Sequence, residues 1–569
     1  MSDKGSLHVV LCWHMHQPQY RDQISGEYKL PWAYLHAIKD YVDMAAHIEA
    51  VPDAKAVINF APILLDQLAD YSAQVRGFLA QGKPIQDPLL AALVDPVLPA
   101  HPERKLELIN DCLRVNRKHV IDRFPAYASL ARLAEVFHEH CEDAVYASDQ
   151  FIIDLLVWYH LGWMAETVRR ENLLVKRLQE KAQGFTIHDR RELLGLMGEL
   201  FNDVIDRYRR LAEKGQVELS VSPYAHPIMP LLLDLKTAQE AMPDVALPAA
   251  ENYPGGLERA RWHLSEGVAL FERYFGFAPA GCWPSEGGVS SETLALTEEY
   301  GFKWVATGEN VLRNSLRDHA GEEAAEAQDA VMQGYHLPGQ SITCFFRDDN
   351  LSDEIGFTYH DWHSEDAVSN LIHRLEEMQA AHPDRKLVVP IILDGENAWE
   401  HYPENGYYFL QALYKFLAAH ETLTLSTFSE CLDAGIEITE LPGMTSGSWV
   451  YGSFSTWIGD RDKNRGWEML IDAKNVFDQA VSSGALSAEQ LSAAQEQLAI
   501  CEGSDWFWWF GDYNPSDTVS DFETLFREHL SNLYTLLGQE SPEYLAHTFA
   551  RGSGAPTLGG VMRHGHLQE

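Results

Sequence analysis

The chain has no CxxC pair. Its seven cysteines, Cys12, Cys112, Cys141, Cys282, Cys344, Cys431 and Cys501, are scattered and odd in number, which excludes a secreted disulfide framework and a cysteine-rich zinc module. They read as reduced, mostly buried thiols and set a cytoplasmic expectation. Apolar runs of membrane-spanning length are missing too, and the start MSDKGSLHVVLCWH is too short in apolar residues for a secretory signal. No membrane partner is expected. Positive charge is scarce: 44 Lys and Arg against 84 Asp and Glu give a formal charge of −40. Such a surface repels nucleic acid and anionic lipid and leaves a neutral substrate as the expectation. Internal repeats of about 20–50 residues are absent as well, which excludes a solenoid.

What is present is an ordinary globular composition, 46% apolar and 22% charged over 569 residues, long enough for a large core and more than one domain. Seven apolar segments of strand length recur: Leu7–Cys12, Ala56–Phe60, Val217–Val221, Phe277–Cys282, Lys303–Ala306, Ile342–Phe346 and the run ending at Leu393. Thr422–Ser426 is a further short candidate. Helical patterns separate most of them, the signature of parallel strands with crossover helices, in a barrel or a doubly wound sheet. Long amphipathic stretches over about 102–214 read as a helical insertion, and helical patterns return after Ser429, notably Asp472–Ala480, Ser487–Leu498 and Asp521–Leu537. The expected division is a catalytic part over 1–428, a helical C-terminal domain over 429–552, and a flexible tail over 553–569.

Polar chemistry begins where the strands end. KLVVPIILDGENAWEHY passes from an unbroken apolar run to Asp394, Gly395, Glu396 and Asn397, and ligands in parallel α/β folds sit at the carboxyl ends of strands. Pro390 inside that run counts against a central strand. After the first strand comes HMHQP, whose His14 and His16 share one side of an extended chain. GCWPSEGG places Glu286 beside Trp283 and two glycines, surroundings that suit a sugar ring, whose C–H face stacks on indole while its hydroxyls need acceptors. Glu218 and His226 bracket a further strand and its exit in GQVELSVSPYAHP. Two carboxylates at two strand ends, Glu286 and Asp394, are the minimum for glycoside hydrolysis, about 5–5.5 Å apart where configuration is retained.

The ordered set HQP, GQVELS, CWPSE and LDGEN, with the later GSWVYGSFSTWIGDRDKNRGW and SDWFWWFGD, resembles glycoside hydrolase family 57 over nearly the whole chain. That resemblance implies a (β/α)7-type barrel and a retaining, α-glucan-active enzyme without cofactor or metal. It makes Glu286 the nucleophile and Asp394 the general acid and base. It sets His14, His16 and Glu218 beside the scissile bond and Trp283 as an aromatic platform. LDGENAWEH lacks the paired Asp-Asp of the glucanotransferase members and is closer to the amylase and amylopullulanase members, which favours hydrolysis of α-1,4 links, with α-1,6 links second, in maltooligosaccharide, glycogen or starch. A glucanotransferase or branching enzyme is the alternative on the same scaffold.

His226, Glu396, Trp399, Trp449, Trp457, Asp460 and Asp505 complete the expected substrate contacts. Trp506, Trp508 and Trp509 alternate in a way that suits core or interface packing at least as well. Arg347, after a strand, is placed to hold a carboxylate. Two further classes stay open: HxH with an Asp also fits a zinc hydrolase of the mannosidase or deacetylase kind, and a glucan-binding protein would keep the sugar surface without turnover.

Overall fold

The computed structural model describes residues 6–553 and 561–565. Among these, ten strands make one sheet: β1 (Ser6–Met15), β2 (Ala56–Phe60), β3 (Val217–Val221), β4 (Gly281–Cys282), β5 (Trp304–Thr307), β6 (Gly334–His336), β7 (Thr343–Phe346), β8 (Lys386–Asp394), β9 (Leu423–Ser426) and β10 (Ile438–Glu440). Seven of them pair in parallel in the order β7-β5-β4-β3-β2-β1-β8 and curl into a barrel. The seam between β7 and β8 is bridged just past β7, where the Asp348 N–H donates to the Pro390 carbonyl at 2.8 Å and Arg347 Nε to that of Ile392 at 2.8 Å. Pro390 is tolerated because its missing donor faces this sparsely bonded seam.

Side-chain alternation divides each strand between two environments. Val10, Cys12, Val57, Trp304, Ala306, Phe345, Val388 and Ile392 form an inner cluster, which Phe428 joins by packing against Trp304 and Phe345 at 4.4 and 4.5 Å. The intervening residues pack outward into the main core with the helices. β4 is shorter than the expected Phe277–Cys282, with Phe277 itself exposed. The three-residue edge strands β6 and β10 escape a reading by length and periodicity; β6 runs antiparallel to β7.

The insertion is helical from Pro102 to Glu213. Its longest helix, Ile187–Glu213, opens on a reciprocal Thr186–Asp189 cap. Helices Arg461–Ser483, Ala488–Cys501 and Ser516–Leu536 contain or overlap the three C-terminal segments expected, and a short helix, Ser504–Trp509, lies between the last two. Part of the tail, 561–565, makes contacts with the rest of the chain. His564 stacks on Phe357 at 3.8 Å, and Gly565 donates to Asp353 and accepts from Tyr451. The rest of 554–569 lies outside the described residues. No described helix is long and apolar enough to cross a membrane.

Candidate active site

The strand register builds the floor of the site. His14 is opposite Asp394 on one side and Asn59 on the other, and Asn59 is opposite Ser220, so four polar side chains form one inward layer at the carboxyl end of the barrel. His14 Nδ1 meets Asn59 Oδ1 at 2.7 Å, and Asn59 Nδ2 donates to Ser220 Oγ at 3.1 Å. His14 Nε2 lies 3.1 Å from His226 Nε2, and His226 Nδ1 lies 2.9 Å from Ser504 Oγ. Burial holds His14 down at about 3 and His226 well below its usual range, with neighbouring imidazoles adding to the shift, so both rings are neutral. Two neutral rings satisfy these contacts when His14 donates to Asn59, His226 donates to His14, and Ser504 donates to His226.

Glu286 sits on a short turn, Ser285–Gly287, with φ +57 at Glu286 and +60 at Gly287. Left-handed backbone at a bulky residue is costly and is kept where the surroundings over-determine it. Here the Trp449 N–H holds the Glu286 carbonyl at 3.1 Å, and a Cβ on Gly287 would come within 3.3 Å of Thr307, Trp283 and Trp449. The carboxylate meets Trp449 Nε1 at 3.0 Å and Ser504 Oγ at 3.3 Å. Burial first, then the charges of Asp394 and Asp505, push Glu286 up to about 8.

Asp394 ends β8 and accepts from Asn397 Nδ2 at 2.9 Å. Gly395 follows because a Cβ there would lie 2.2 Å from Met15 Sδ. Burial raises Asp394 to about 6, opposed by Asn397, His16 and Arg347. Both acids line one cavity of about 410 Å³, together with His14, His16, Glu396, Trp449 and Asp505. His16 Nε2 binds Asp505 at 2.8 Å, and its ring stacks on His226 at 3.8 Å.

Other expected contacts lie elsewhere. Glu218 is at the opposite end of the barrel, where it accepts from Trp304 Nε1 at 2.7 Å and from the backbone and hydroxyl of Ser429. Trp283 is wholly buried against Trp449. Trp399 is buried with its indole N–H on Gly395, and Trp457 is buried against Trp508. Asp460 caps the helix Arg461–Ser483. Arg347 holds Asp349 and Asp353, each at 2.6 Å, and reaches Asp394 only through its charge. Conversely Trp508 and Trp509 line the cavity, as do Trp32, Trp163 and Arg114, which sequence reasoning passed over. Asn59 left a signal, as the one polar residue in AVINF. Ser504 left none.

His16, His226 and Asp505 are the trio among the described residues close enough to share a metal ion. Their geometry does not fit one, because imidazoles stacked at 3.8 Å and 21° run their lone pairs side by side rather than toward a common point.

A barrel with two acids in one cavity, under aromatic walls, defines the class: an enzyme of glycosidic-bond chemistry. Comparison with known proteins gives the family. The family model of glycosyl hydrolase family 57 matches residues 10–441, and the chain belongs to that family. A 1,4-alpha-glucan branching enzyme of Thermococcus kodakarensis is 20% identical over 363 residues, 59% of this chain and 47% of the relative; the chain thus spans about half the length of that curated relative. Among solved structures, the GH57-type branching enzyme from Pyrococcus horikoshii superposes with TM-score 0.57 at 16% identity, covering 95% of this chain and 93% of that one. The alpha-amylase AmyC from Thermotoga maritima gives 0.56 at 14% identity, covering 95% and 96%. At these identities the structural likeness carries the fold.

Proposed function

We propose that the chain cleaves α-1,4-glucosidic links of an α-glucan with retention of configuration, through a glycosyl-enzyme intermediate. The carrying observation is that Glu286 and Asp394, 108 positions apart in sequence, line one cavity whose remaining wall is rich in indole. Glu286 attacks the anomeric carbon as the glycosidic oxygen departs with the proton of Asp394. The resulting Asp394 carboxylate then takes a proton from the incoming nucleophile, which displaces Glu286. The Trp449 indole favours the ionised form that attacks.

The empty site divides its protons the other way, with Glu286 at about 8 and Asp394 at about 6. Two acids this strongly coupled titrate as a pair. The glycosidic oxygen is an acceptor that only a protonated Asp394 can serve, so substrate moves the shared proton to the position the reaction needs.

Water as the second nucleophile makes the enzyme a hydrolase, which the LDGENAWEH motif favours. A sugar hydroxyl in its place makes it a branching enzyme or glucanotransferase. That second reading is favoured by aromatic surface from two separate parts of the chain, Trp32 and Trp163 from one and Trp508 and Trp509 from the other, enough to hold an acceptor chain, and by the branching enzymes among its relatives. Incubation with maltoheptaose and amylose separates them: shorter linear products alone mean hydrolysis, whereas longer or debranchable products mean transfer. Azide rescue of Glu286→Ala, giving a glycosyl azide of inverted configuration, tests the nucleophile. Near-normal activity of that variant without azide rejects the assignment.

A further inference from the structure

Glu396, two residues beyond Asp394, is 2% exposed and satisfied on one oxygen only. Its Oε1 accepts from the His16 N–H at 3.2 Å, Gln17 Nε2 at 3.1 Å and the Tyr41 hydroxyl at 3.3 Å. The Gln17 amide is fixed in that sense, because its own Oε1 accepts from the Tyr20 hydroxyl at 2.8 Å. Tyr41 is delivered by a π-helical turn, Ala37–Tyr41, a local widening that recurs at functional sites. Oε2 is buried with no hydrogen-bond partner among the described residues, although Glu396 lines the catalytic cavity.

An ionised carboxylate with one oxygen bare in a buried site is expensive. The charged groups around Glu396 make it more so. Asp394 and Asp40 both face it, and Asp40 is held by Lys39 and His36, each at 2.7 Å, while the His16 ring is engaged with Asp505. Burial, then the Asp394 charge, hold the Glu396 proton well above the usual carboxylate range. Three donors already crowd Oε1, so a proton on this acid belongs on Oε2, the oxygen without a partner among the described residues, on a side chain that lines the cavity.

Resting on the function proposed above, we propose that Glu396 is a neutral carboxylic acid that donates a hydrogen bond from Oε2–H to a hydroxyl oxygen of the sugar beside Asp394. It reads a sugar hydroxyl without adding a further negative charge next to the reacting pair. A site built around such a donor rejects an analogue lacking the matching oxygen, since the buried acid is then left unpaired.

Glu396→Gln keeps an acceptor for the three donors and replaces O–H by N–H, whereas Glu396→Leu removes both. With maltoheptaose, kcat/KM should fall by less than about tenfold in E396Q and by about a hundredfold or more in E396L. Equal loss in both overturns the donor role, because an ionised acceptor is abolished by either change. Infrared difference spectra between E286Q and the E286Q/E396Q double variant should show the carbonyl stretch of a protonated acid at neutral pH, displaced when maltoheptaose binds. Absence of the band, or a band that sugar leaves unmoved, overturns the proposal even if E396L misfolds. A wild-type enzyme inert toward maltoheptaose would instead count against the function proposed above, and the ligand-free band would still judge Glu396.

Discussion

The two ends of the barrel treat their glutamates in opposite ways. Glu218 enters from the amino end of β3 and finds three donors, the Trp304 indole and the backbone and hydroxyl of Ser429, above a plug made by Phe428. At the carboxyl end Glu286 is held in left-handed backbone, shares its cavity with four other carboxyl groups, and has its proton affinity pushed far upward, while Glu396 keeps one oxygen bare. Saturated polar groups hold a fold together. Polar groups left incomplete at a cost to stability are those waiting for a ligand.

Glu286→Gln tests this contrast most severely. Turnover should fall by several powers of ten, since the amide cannot form the glycosyl ester, yet the protein should become more stable. The folded chain keeps a proton at Glu286 that the unfolded chain releases between its ordinary 4.5 and about 8, so stability is lost as pH rises across that window. The variant should therefore melt above the wild type at pH 8 and level with it near pH 4.5, by calorimetry. The same pair predicts the pH profile. The singly protonated state is most populated between the two affinities, about 6 and about 8, so kcat/KM should be bell-shaped with its top in that interval. A profile that rises monotonically through pH 9 would reject the pair.

Trp449→Phe sharpens the contrast within the catalytic end. It keeps the ring and removes the indole donor from Glu286, a charge-assisted bond of about 1.5–3 kcal/mol, or one to two powers of ten in kcat/KM. Losing a group that favours the ionised form also moves the pair's proton affinity upward. Unchanged activity would show that the indole bond is not made in the reacting complex.

Glu218→Ala probes the other end. It strands the buried Trp304 N–H at a cost of about 1–3 kcal/mol, read as a lower Tm, while kcat at a temperature where the variant is folded should stay within a few-fold of wild type. A collapse of kcat at full folding would place Glu218 in the chemistry after all.

Much of the frame was legible because it follows from local rules. Ala56–Phe60 and Val217–Val221 are strands at the bounds that apolar length alone suggests, and the site lies where the apolar runs stop. Glu218 was misassigned because proximity to a strand does not say which end of the strand a residue occupies relative to the cavity. Trp283, Trp399 and Trp457 look like sugar platforms by composition and are buried, whereas Trp508 and Trp509 look like packing and face the cavity. Indole is apolar enough for a core and flat enough for a sugar, so only tertiary position separates the two uses. Ser504, a short polar residue at the start of a six-residue helix, carries no sequence signal. Its role comes from meeting His226 and Glu286, 278 and 218 positions away.

The smallest effect is expected between the insertion and the C-terminal helices, where they meet at the cavity. Arg114, stacked over Trp32 at 5.2 Å, pairs with Asp521 at 2.5 Å, and Arg114, Thr518 and Phe522 all line the cavity. Both partners are about one-third exposed, so the pair contributes roughly 0.2–1 kcal/mol and is screened by salt. Asp521→Ala should leave Tm within a degree or two. Its effect should be on access, raising kcat/KM for a bulky branched glucan relative to maltoheptaose by less than about tenfold, and the wild type should drift toward the variant's ratio as salt is added, because ions weaken the same bond that the substitution removes. A ratio indifferent to both salt and substitution would make Arg114–Asp521 a surface contact with no part in admitting substrate.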